Sequence, residues 1–94
     1  MYFIRETFTA KPGMASKLAA MIKGAVSGQD RVKVRVLTDV VGPFNTVAME
    51  TEVADLAEVE RIQKEYMERP EIRDRMKGYT DMYVSGGREI YRVV

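Results

Sequence analysis

Ninety-four residues bound one small domain, residues 1–94, whose modest core gains from association with a second copy. Lys plus Arg number 15 and Asp plus Glu 14, interspersed along the chain, so no broad field draws nucleic acid or an anionic membrane. Cysteine and histidine are absent, which removes disulfides, thiolate and imidazole metal ligands, a Cys nucleophile, the commonest general base and a proximal haem histidine.

Chemistry is thus left to carboxylates, Tyr, Lys, Arg, Ser/Thr and Asn, and the expectation is no metal and no resident cofactor. No stretch approaches the roughly 20 apolar residues that span a bilayer. The chain opens directly on strand-forming residues, and a cytoplasmic location is expected.

Tyr2–Thr9 is rich in aromatic and β-branched residues and predicts a strand. Lys11-Pro12-Gly13 breaks it. Met14, Leu18, Met21, Ile22, Ala25 and Val26 then follow helical spacing, with Gly28 as the expected left-handed terminator. Arg31–Val40 alternates Val32, Val34 and Val36 against Lys33 and Arg35, the pattern of a half-buried strand. A turn at Gly42–Asn45 joins it to a second alternating run, Asn45–Val53, as a hairpin.

Asp55, three residues before Glu58, caps a second helix carrying Leu56, Val59, Ile62, Tyr66 and Met67 on one face. Arg69 precedes Pro70 and is pushed out of helical geometry. Pro70 opens a short helix that Gly78 stops. Gly86-Gly87 reads as a turn before a last strand, Arg88–Val94. The order strand, helix, strand, strand, helix, strand is the split βαβ pattern of an α+β, ferredoxin-like antiparallel sheet with its helical regions on one face. Right-handed crossovers place β3 between β1 and β2, with β4 outside β1.

Alternation then sorts the side chains. Ile4, Phe8, Val32, Val34, Val36, Val47, Met49, Tyr91 and Val93 are expected under the helices. Arg5, Thr7, Lys33, Arg35, Thr46, Glu50, Glu52, Arg88 and Arg92 are expected on the other face, with Glu50 near Arg5 and Arg35 in a charge ladder. Phe3, Leu37 and Ile90 share that open face, which calls for a second sheet lying over it.

The turn FTAKPGMASKL, the element order, the second helical region broken at Pro70 and the C-terminal GGREIYRVV together resemble the dimeric α+β barrel superfamily. Its members include antibiotic-biosynthesis-type monooxygenases, muconolactone isomerases, EthD-like and NIPSNAP-like proteins. The resemblance covers nearly the whole chain. It implies a homodimer through the sheet face and a small pocket between sheet and helices.

Glu6 is the candidate catalytic residue. Its parity puts it with Ile4 and Phe8 on the helix-covered face, where desolvation favours a general base; alternatively it reaches water or a Lys/Arg. Glu89 shares that parity on the neighbouring strand, and two such carboxylates can share a proton. Tyr66, Tyr79, Tyr83 and Tyr91 either line a pocket or pack the core with satisfied hydroxyls. Asn45 either orients a substrate carbonyl or serves the turn. The Met residues either form an adaptable lining for a flat apolar ligand or fill gaps in the core. Arg73, Arg75 and Lys77 read as a solvated helix face.

Two functions follow as expectations. One is a pocket enzyme acting on a small aromatic or enolisable compound, resembling the superfamily's cofactor-independent monooxygenases or isomerases. The other is a non-catalytic small-ligand-binding or stress-related interaction module. Nucleic-acid binding is disfavoured, because the charged face lacks the aromatic stacking pair of RNA-recognition sheets.

Overall fold

The computed structural model describes residues 1–27 and 32–94. Along the chain it contains β1 (Tyr2–Ala10), α1 (Ala15–Val26), β2 (Lys33–Thr38), β3 (Thr46–Val53), α2 (Leu56–Glu68), α3 (Pro70–Arg75) and β4 (Tyr83–Arg92). A 3-10 turn, Tyr79–Asp81, leads into β4. The strands form one antiparallel sheet in the order β2-β3-β1-β4, the order expected from the element pattern.

Local chemistry sets the boundaries. Asp55 caps α2 by accepting the Glu58 N–H at 2.9 Å, a cap worth about 1 kcal/mol. Arg69 is extended (φ −80°, ψ 115°) ahead of Pro70, so α2 and α3 are separate helices. Gly78 adopts φ 86°, a left-handed conformation that only Gly takes without strain, and it ends the α3 region. The expected terminator of α1, Gly28, lies outside the described residues, as does Arg31 at the expected start of β2.

The core is helix on sheet. Leu18 and Val47 are completely buried at its centre, with Ala10, Ile22 and Met49 around them. Ile4, Val53, Val59 and Ile62 form a second cluster, and the ring of Tyr66 packs against both. α1 lies mainly on β2, β3 and β1, and α2 on β3. The molecule measures 35 × 34 × 19 Å, and its thin dimension is that of one helical layer on one sheet. No described element covers the far face of the sheet.

β4 departs from expectation. It starts at Tyr83 rather than Arg88, and Gly86 and Gly87 lie inside the strand, opposite Phe8 and Thr7. The glycines permit close approach instead of a turn: a Cβ on Gly86 would stand 3.1 Å from the Thr7 carbonyl oxygen and 3.3 Å from Cδ1 of Phe8. The register slips between Thr9, opposite Ser85, and Ala10, opposite Tyr83, which makes Val84 the bulged residue.

This register also reverses the expected faces of β4. Residues directly opposite in an antiparallel pair share a face. Glu6 faces Arg88, Ile4 faces Ile90 and Tyr2 faces Arg92, all on the helix side. Tyr91 faces Phe3, and Glu89 faces Arg5, both on the open side. The Arg-Glu-Ile-Tyr-Arg sequence carries polar and apolar residues on both parities, so period alone could not choose between them.

Candidate functional site

β1 alternates Ile4, Glu6, Phe8 and Ala10 towards the helices, which carries one carboxylate into the layer between sheet and helices. There it borders a cavity of about 270 Å³. The cavity floor is Glu6, Phe8 and Met49; α1 supplies Ile22, Ala25 and Val26, α2 supplies Tyr66 and Met67, and Ile72, Arg73, Met76 and Tyr79 close the remaining side. A more open cleft of about 300 Å³ lies against it over β4, lined by Glu6, Phe8, Tyr83, Gly86, Gly87 and Arg88. Glu6 and Phe8 border both spaces, so Glu6 stands at their junction.

The Glu6 carboxylate is paired. Its Oε1 accepts from Nε and Nη2 of Arg88, each at 3.1 Å. The Arg88 side chain is 45% exposed and that of Glu6 23%, and a pair this open to water contributes about 0–1 kcal/mol. Arg88 was expected on the other face. The register of β4 brings it here.

Tyr66 is the opposite case. Its hydroxyl oxygen is buried and has no hydrogen-bond partner among the described residues. Burial raises its pKa above the ordinary 10.0, and the nearby carboxylates of Glu6 and Glu65 push it further up, against a smaller opposing effect of Arg69. Tyr66 therefore holds an available O–H donor within the field of the Glu6 charge. Tyr79 stacks on Tyr83 at 5.9 Å, and Tyr83 leans on Phe8 at 5.0 Å, so an aromatic wall runs from the cavity towards the cleft.

Of the residues singled out in the sequence, Glu6, Tyr66 and Tyr79 meet around one cavity. The others do not. Tyr91 and Glu89 lie on the open face of the sheet, where the Tyr91 hydroxyl donates to the Glu89 carboxylate. That hydrogen bond chiefly accounts for the raised pKa of Tyr91. Because Glu6 and Glu89 project from opposite faces, they cannot share a proton. Asn45 sits in the β2–β3 turn with φ 62°, and its carbonyl accepts the Ala10 N–H at 2.8 Å; it is not among the residues lining the cavity and serves the turn.

Arg73 joins the site unforeseen. Arg75 donates to the Gly24 carbonyl of α1 at 2.8 Å, and Glu71 pairs with Arg69 at 3.2 Å. Arg73 is left at the cavity's edge with no ion pair among the described residues. Its position one residue after the buried Ile72 was the available signal. Among the methionines, Met49, Met67 and Met76 line the cavity, while Met14 and Met82 pack against the core.

Among the described residues no group of three or more acidic side chains is placed to hold a metal ion. No helix among them is long and apolar enough to cross a membrane.

No family model and no curated protein matches the sequence. Solved structures do match the fold. A NIPSNAP domain protein from Burkholderia xenovorans superimposes with a TM-score of 0.84 at 11% identity, over 100% of this chain and 95% of the other. A NIPSNAP-like domain protein from the same organism gives 0.85 at 15% identity, over 99% of this chain and 84% of the other. A protein named as a candidate antibiotic biosynthesis monooxygenase from Chloroflexus aurantiacus gives 0.76 at 15% identity, over 99% and 92%. The resemblance read in the sequence therefore stands at the level of architecture: the chain has the ferredoxin-like α+β fold found in the dimeric α+β barrel superfamily.

Proposed function

We propose that this protein is a small-molecule pocket enzyme, working as a homodimer on an aromatic or enolisable compound without a resident cofactor. The observation that carries this reading is the cavity itself, an apolar space with a carboxylate on its floor and, from Tyr66 in its wall, a buried hydroxyl without a partner among the described residues. Glu6 accepts the proton of a substrate hydroxyl or activated C–H. Tyr66 donates to the substrate oxygen and so stabilises the negative charge that develops there. Tyr79 flanks the ring. A deprotonated electron-rich substrate can then isomerise, or give electrons to oxygen, as in monooxygenase-like or isomerase-like chemistry.

The likeness to a candidate antibiotic biosynthesis monooxygenase supports this reading at the level of fold. The homodimer forms through the sheet's open face, where Glu50 is only 6% exposed between two arginines. We place the protein in the cytoplasm, where a chain without cysteine loses nothing to reducing conditions.

A non-catalytic binding module is the second reading, favoured by the Arg88 ion pair that already engages Glu6. One experiment separates the two. Thermal-shift screening against aromatic and quinone-like compounds identifies binders, and mass spectrometry follows their conversion. Enzyme function predicts turnover that Glu6→Gln abolishes while binding survives, and binding that the cavity-filling Val26→Phe removes. Unchanged turnover in Glu6→Gln excludes Glu6 from the mechanism. Binding with no conversion of any compound favours the module.

A further inference from the structure

We infer that the occupant of this cavity is a flat one- or two-ring compound with a hydroxyl at its inner end and a carboxylate or similar anion at its outer end. This rests on the reading of the cavity as a ligand site, and it fixes the polarity of that ligand.

The inner end is defined by two groups of opposite demand. Tyr66 presents a buried O–H with no acceptor among the described residues, and leaving it unpaired costs about 1–3 kcal/mol. Glu6, whose charge acts on Tyr66, is an acceptor. A bare carbonyl or carboxylate would satisfy Tyr66 but lie in the repulsive field of Glu6. A hydroxyl satisfies both, taking the Tyr66 proton and giving its own to the carboxylate.

The outer end is defined by Arg73. Of the other charges of α3, Glu71 is engaged with Arg69 and Arg75 with the Gly24 carbonyl, while Asp74 has no ion pair among the described residues. Arg73 alone offers the cavity's edge a guanidinium without an ion pair among the described residues. Planar guanidinium binds carboxylate through two parallel hydrogen bonds. Between the two ends the walls are apolar, formed by Phe8, Ile22, Met49 and Met76. At about 270 Å³ the cavity falls just below the roughly 300–1,000 Å³ typical of drug-sized ligands, which limits the body to one or two rings.

Four probes test this: 6-hydroxy-2-naphthoic acid, 2-naphthol, 2-naphthoic acid and naphthalene. The chain has no Trp, so probe fluorescence reports binding directly. The hydroxy acid is expected to bind tightest. Arg73→Gln should weaken it about fivefold, the upper range for an exposed ion pair, and leave 2-naphthol unchanged. Tyr66→Phe should weaken both hydroxylated probes about fivefold and leave 2-naphthoic acid unchanged. Binding of all four with equal affinity, or equal losses for charged and uncharged probes in Arg73→Gln, overturns the assigned polarity while leaving the ligand site standing. Failure of every probe to bind overturns the polarity together with the ligand-site reading itself.

Discussion

Tyr66 shows how a single hydroxyl reports on the state of the site. Its O–H is buried without a partner among the described residues, so Tyr66→Phe is expected to stabilise the chain by about 1 kcal/mol, raising Tm by about 4–8 °C for a domain of this size. The variant trades that gain for weaker binding of hydroxylated ligands. The pH dependence carries a matching sign. Because the folded pKa lies above 10.0, the folded state holds its proton after the unfolded chain has released it. Wild-type stability relative to Tyr66→Phe is therefore full below pH 10 and falls as pH rises through the folded pKa. Urea midpoints of both proteins measured from about pH 9 to about pH 11 check this; parallel curves would show that Tyr66 titrates alike in both states.

Among the elements, β4 is the one whose placement decides the site. Its glycines look like punctuation in the sequence, yet Gly86 is a spacing device against Thr7 and Phe8, whereas nothing among the described residues beyond its chain neighbours lies within 4 Å of a Cβ on Gly87. Gly86→Ala is expected to destabilise by about 1–3 kcal/mol, the cost of overpacking, and to disturb the Glu6–Arg88 alignment two residues along. Gly87→Ala should be neutral or slightly stabilising, since it restricts the unfolded chain without a clash. Chemical denaturation of the pair measures the difference, and equal effects would remove the spacing role. Glu6 itself was legible because β1 alternates cleanly. Arg88 was not, because β4 is an edge strand, largely exposed on both sides, where no apolar stripe marks the inner face.

At the scale of the whole molecule, a sheet with one covered and one bare face invites a second layer. The bare face holds Phe3, a 38%-exposed Leu37 and a 47%-exposed Tyr91 around Glu50, whose two oxygens accept from Arg5 at 2.9 Å and Arg35 at 2.7 Å. Light scattering at micromolar concentration is expected to give twice the 10.7 kDa of one chain. Leu37→Asp, which places a charge on the β2 side of the proposed contact, should halve that mass while leaving the far-UV circular dichroism unchanged. A wild-type mass of one chain would sink the sheet-to-sheet homodimer.

Composition and period by themselves determined the element order, the strand order, the Asp55 cap, the Arg69–Pro70 break, the Arg5–Glu50–Arg35 ladder and the inward parity of Glu6, since each follows from spacing along one element or from the handedness of crossovers. Only the tertiary structure decided that Tyr91, Glu89 and Asn45 stand apart from the cavity, that Arg88 grips Glu6, that Arg73 reaches the edge and that the Tyr66 hydroxyl lacks a partner among the described residues. Those outcomes depend on register between strands and on the seating of α3 over α1 and α2. A one-residue shift of register exchanges the faces of a strand without changing its composition.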